Sequence, residues 1–114
     1  MPEIKTINLE AGHPAAAAAI KRLTYELHNS RSLGYKAVKI IHGYGSSGPG
    51  GRIRIEARAY LARLANKNQV KAILTGEQFS IFDQPTRDAF ALCGELRGDR
   101  DLDRHNNGVT FVVL

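Results

Sequence analysis

At 114 residues, with 43% hydrophobic and 24% charged side chains, the chain has the composition of one globular domain with a single modest core, not of a disordered segment. Its formal net charge is +5, and its single cysteine, Cys93, excludes an intrachain disulfide and a cysteine-based zinc cluster. No apolar run approaches the roughly 18 residues that span a membrane, and the opening MPEIKTINLE lacks the layout of a secretory leader, so a cytoplasmic chain is expected.

In chain order, Ile4 to Leu9 alternates apolar and polar residues and predicts a first strand. Gly12-His13-Pro14 is a turn, with Pro14 suited to the first helical position. The alanine run Ala15 to Ala19 opens a helix with Ala16, Ile20, Leu23 and Leu27 on one stripe, ending near Leu33-Gly34. Ala37 to Ile41 is a second strand, so the first two strands form a parallel crossover unit. Ile53, Ala57, Leu61 and Leu64 mark a second helix closing at Asn66 to Asn68, and Val70 to Leu74 is a third strand.

Beyond Thr75-Gly76 the pattern becomes irregular. Phe79, Ile81 and Phe82 suggest a short extended piece, Gln84-Pro85-Thr86 opens a short helix reaching Cys93, and Glu95 to Arg104 reads as an exposed charged loop. Asn107-Gly108 is a turn signal, and Val109 to Leu114 is a closing strand. The order βαβαβ, an insert at about 77–107, and a last strand define a single α/β domain. Two main helices pack on a mixed sheet of about four strands, a small two-layer sandwich.

Function concentrates in AVKIIHGYGSSGPGGRIRIEAR, Ala37 to Arg58. A strand that feeds a glycine loop and then a helix gathers free backbone N–H groups, and the helix N-terminus adds positive potential. Arg52, Arg54 and Arg58 stand on or beside that terminus, so the stretch predicts an anion site, with phosphate the commonest occupant. The surrounding charge agrees. Lys21 to Lys71 carries eleven basic residues against Glu26 and Glu56, eleven less two, or a local +9. That balance favours a polyanion, nucleic acid first, over the alternative of a merely solvated face.

Gly43, Gly45 and Gly48 spell a dinucleotide-type GxGxxG, but the loop continues through Pro49-Gly50-Gly51 and follows the second strand, which argues against a dinucleotide. A phosphate-binding lysine loop is excluded by Pro49. Tyr44 at the loop tip is placed to stack on an unpaired base, whereas Tyr35 and Tyr60 read as packing residues. His42 has two open readings, contact with phosphate or acid–base work against a ring that only holds the loop's shape. Glu10 with His13 and His42 could gather a divalent metal if the first two strands are adjacent; His28, His105 and Cys93 are assigned no chemistry.

Ile40-Ile41-His42-Gly43-Tyr44-Gly45 resembles the strand and HGxG signature of the Smr (small MutS-related) domain family. Ile53-Arg54, Arg58 and Tyr60-Leu61 on the following helix support the resemblance, as do Val70-Lys71 and the closing Gly108-Val109-Thr110-Phe111-Val112-Val113. The resemblance implies an α/β fold like the C-terminal domain of bacterial translation initiation factor three, binding of DNA or RNA and, as in several members, nicking or endonucleolytic cleavage. The family's LDxHG-type segment should align with Ile7 to Ala11, where Asn8 replaces the acid and Glu10 the histidine. The expected function is therefore nucleic-acid binding through His42, Gly43, Tyr44, Gly45, Gly48, Arg52, Arg54 and Arg58. One alternative is a metal-assisted endonuclease using Mg or Mn, with His42 and Glu10 as its catalytic residues. Another is a protein-interaction module built on the 77–107 insert.

Overall fold

The computed structural model describes residues 2–44 and 50–114. Four strands, β1 (Ile4–Asn8), β2 (Ala37–Ile41), β3 (Ala72–Thr75) and β4 (Val109–Val113), form one sheet in the order β1-β2-β4-β3. β1 and β2 pair in parallel, and β4 runs antiparallel between β2 and β3. The carboxyl ends of β1, β2 and β3 and the start of β4 consequently lie along one edge of the sheet.

α1 (Ala16–Ser32) and α2 (Gly50–Asn66) cover one face. Their stripes of Ala19, Leu23, Leu27, Ile53, Ala57 and Leu61 pack on Ile7, Val38, Ile40 and Val112. This is the expected sandwich of helices on a mixed sheet. α1 begins two residues later than expected: Gly12 and His13 adopt positive φ, Ala15 becomes the cap, and Pro14 precedes it. Gly34, at φ +87°, ends α1 as its sequence position predicted.

Within 77–107 the short helix expected from Gln84 to Cys93 is present, whereas the expectation of an irregular insert with an exposed charged loop is corrected. A third helix, α3 (Gln84–Leu92), and a 3-10 helix at Gly94–Gly98 cover the sheet's second face. Phe79, Phe90, Cys93 and Leu96 are buried there against Leu74, Val109, Phe111 and Val113. Phe79 is no strand residue: it lies in a turn, its ring centroid 4.2 Å from that of Phe111. Asp83 caps α3, its carboxylate accepting the Thr86 N–H at 3.0 Å. With both faces covered, β2 is buried from Ala37 to Ile40 and β4 along its whole length. Such strands read as continuous apolar runs instead of alternating ones.

Lys39 sits in the middle of β2 on that second face and is 6% exposed. Its ammonium lies 3.0 Å from Asp99 and 2.6 Å from Asp101, both in the stretch expected to be solvated. A buried ammonium needs a compensating charge, and these two carboxylates supply it. The charged run 95–104 therefore includes a clamp that ties the second cover to the central strand. Among the described residues no helix is long and apolar enough to cross a membrane.

Candidate functional site

The turn after β2 is built from both neighbouring strands. Leu9 N–H donates to the Ile41 carbonyl at 2.8 Å, while the N–H groups of His42 and Gly43 both donate to the Gly108 carbonyl at 3.0 Å. Gly43 takes φ +71°, and a Cβ there would collide with the Glu10 carboxylate, so glycine is required twice over. Glu10 is thus brought to the glycine turn, as adjacency of β1 and β2 required. Gly45 and Gly48 lie outside the described residues.

His42 is 0% exposed. Its Nδ1 lies 2.7 Å from the Gly43 carbonyl, which can only accept, so Nδ1 carries the proton. Nε2 is then the acceptor for the Thr110 hydroxyl at 2.8 Å. The Thr110 oxygen in turn accepts from Arg58 Nε at 3.0 Å. Every donor in this chain finds an acceptor only while the imidazole is neutral. Burial pushes the His42 pKa down to about 4; the Gly43 carbonyl opposes this, and the charges of Arg58 and Arg54 add to it. Both ring nitrogens are committed inside the protein, the arrangement of a histidine that holds a turn in shape.

Arg58 continues the network outward. Its guanidinium forms a two-pronged pair with Glu77 at 2.9 and 2.7 Å and donates to the Val109 carbonyl at 3.2 Å. That hydrogen-bonded pair holds the Glu77 carboxyl below the usual carboxylate range. Arg58 therefore spans α2, the end of β3 and the start of β4. Arg52, nearly two turns nearer the helix start, exposes 78% of its side chain beside Glu56 at 3.5 Å. Arg54 is half-buried, and Tyr44 is 57% exposed. Tyr60 packs against the helix-side core, in line with its reading as a packing residue.

The metal cluster of Glu10, His13 and His42 does not form. Among the described residues no three His, Cys, Asp or Glu side chains are grouped as metal ligands. The reason is the His42 ring, turned into the sheet toward Thr110.

Three dimensions also redistribute the basic middle. Glu3 pairs with Lys36 at 2.9 Å, Glu77 with Arg58, and Asp99 and Asp101 with Lys39. All four acids come from outside Lys21 to Lys71. Lys21, Arg22, Arg52, Arg63, Lys67 and Lys71 remain exposed.

Sequence reasoning missed Thr110, Glu77 and the Lys39 clamp. Two signals were present: a threonine and a lysine, each inside an otherwise apolar strand, where a buried polar group must have a partner. Comparison of the chain with protein-family models, with curated proteins and with solved structures finds no match. The residues and their geometry carry the functional reading.

Proposed function

We propose that this chain is an Smr-like domain that binds nucleic acid along the edge where β1, β2 and β3 end and α2 begins. The observation that carries the reading is the position of Arg52. It is largely exposed on the first turn of a 17-residue helix. Helix-terminal N–H groups and guanidinium forks suit phosphate oxygens. The exposed Lys21, Arg22, Arg63, Lys67 and Lys71 supply long-range attraction to a polyanion. His42 and Arg58 act as positioning residues that fix the turn and α2 to β4, while Arg52, Arg54 and Tyr44 make contact. A reducing, cytoplasmic setting belongs to the same proposal and is supported by the free, buried thiol of Cys93.

The test is fluorescence anisotropy with labelled single-stranded and duplex DNA and RNA across a salt series. Wild type should bind with an affinity that falls steeply with salt, and the Arg52→Ala/Arg54→Ala variant should bind with a salt slope lower by about one per lost phosphate contact. The same samples, run with Mg²⁺ or Mn²⁺, should contain no cleavage products, because His42 has no nitrogen to offer a substrate. Absence of binding at low salt to every polynucleotide would overturn the proposal.

A further inference from the structure

The residue types that a nucleotide requires meet at one place, of which the sequence motifs marked only Tyr44. A cleft of about 710 Å³ opens between the turn after β2 and the segment 99–107, lined by Tyr44, Arg100, Asp101, Arg104, His105 and Asn106. That volume lies within the range of small-molecule sites, roughly 300–1,000 Å³. Tyr44, Arg100, Arg104 and His105 are all exposed into it or at its rim.

Its walls are preorganised. Asp101 accepts from Asn106 Nδ2 at 3.0 Å, and Asn106 Oδ1 accepts from the Gly108 N–H at 2.9 Å. The Gly108 carbonyl holds the His42 and Gly43 N–H groups, so the wall with the arginines and the wall with the tyrosine are tied through one residue. A Cβ on Gly108 would lie 3.1 Å from the Tyr44 ring, which shows how closely that ring rests on the opposite strand. Asp103 and His105 adopt positive φ of 61° and 54°; the Asp103 N–H donates to the Phe79 carbonyl at 2.9 Å, and His105 Nδ1 lies 3.3 Å from the Glu77 carbonyl.

The lining carries Arg100 and Arg104 against one carboxylate, Asp101, which is only partly offset by the Lys39 ammonium 2.6 Å away because that ammonium also serves Asp99 at 3.0 Å. The balance left to a ligand is positive, and Arg100 and Arg104 carry it. An exposed aromatic face, two guanidinium groups and a carboxamide match a base, a phosphate and a base edge respectively.

We propose that this cleft holds one unpaired nucleotide of a single-stranded nucleic acid, its base on Tyr44 and its phosphate on Arg100 and Arg104. The inference rests on the nucleic-acid reading above and sharpens it from polynucleotides in general to unpaired strands. A duplex keeps its bases stacked inside and cannot offer one to Tyr44 without unpairing.

The experiment measures anisotropy of a short labelled single strand, DNA and RNA, and of the matching duplex. The proteins are wild type, Tyr44→Ala, Tyr44→Phe and Arg100→Ala/Arg104→Ala. Wild type should prefer the single strand. Tyr44→Ala should weaken binding about tenfold, with Tyr44→Phe near wild type, since stacking needs the ring and not the hydroxyl. The arginine pair should lower the salt slope by about two. A free nucleoside monophosphate should compete only weakly; equal affinity for it would overturn the assignment to a strand. Wild-type binding with unchanged affinity and slope in the Arg100→Ala/Arg104→Ala and Tyr44→Ala variants would overturn the cleft and leave the nucleic-acid reading standing. Failure of wild type to bind any polynucleotide, with salt-insensitive capture of a protein instead, would overturn both.

Discussion

Lowering the pH from 7 to 5 should remove about 2 kcal/mol of stability through His42 alone. In the unfolded chain its imidazole titrates near 6.5, and in the folded protein near 4. Between those values the unfolded state holds a proton that the native state refuses, so stability falls as pH falls through this window. The native refusal has a structural cause. A second ring proton would remove the Nε2 lone pair that accepts from the Thr110 hydroxyl and would place a cation beside Arg58 at a fully buried ring. Two and a half pKa units correspond to about 3 kcal/mol in full, of which about 2 is expressed by pH 5. The carboxyls of Glu3, Glu77, Asp83 and Asp101 are held below the usual carboxylate range by their hydrogen-bond partners, so their loss of stability falls at lower pH and leaves this window to the histidine. The assay is urea denaturation of wild type and of His42→Gln at pH 7 and pH 5. His42→Gln should be less stable than wild type at pH 7 but lose about 2 kcal/mol less on acidification. Equal losses in the two proteins would refute both the neutral tautomer and the buried placement of the ring.

Three further outcomes follow from the same contacts. Lys39→Met should lower stability by about 3–5 kcal/mol, because it strands two carboxylates against the sheet, and adding Asp99→Asn and Asp101→Asn should recover much of the loss; thermal melts of the single and triple variants check this. Arg58→Ala should cost about 1–2 kcal/mol in urea, and Arg58→Lys should restore little of it, since one ammonium cannot serve Glu77 in two-pronged fashion while also reaching Thr110. Gly76→Ala should cost about 1–3 kcal/mol, because its Cβ would meet the Asn106 carbonyl, while Gly94→Ala, with open space, should stay within about 0.5 kcal/mol of wild type; paired melting temperatures decide it.

The local features of the fold were legible because they are set by neighbouring residues. The stripe of Ala16, Ile20, Leu23 and Leu27 has the period of a helix whatever it packs on. Gly34 follows the last apolar position, where a left-handed residue ends a helix, and Ala37 to Ile41 is a short run, apolar except for Lys39, between Lys36 and His42. The glycine turn after β2 was legible for the same reason, since Gly43 takes a conformation that few other residues adopt.

What the chain's own order could not decide is which distant groups meet. Glu95 to Arg104 has the composition of a solvated loop, and composition says nothing of Lys39, sixty residues earlier, whose buried ammonium draws Asp99 and Asp101 onto the sheet. His42 left two roles open, and the choice fell to Thr110 and Arg58, placed beside it by strand register and by the packing of α2. The cleft of Tyr44, Arg100 and Arg104 likewise exists only because Gly108 binds the turn after β2 to the start of β4. Periodicity and turn chemistry act over a few residues and can be read along a line. Charge pairing and hydrogen-bond satisfaction act through space, so the partners of Lys39 and His42 became visible only when the sheet brought them together.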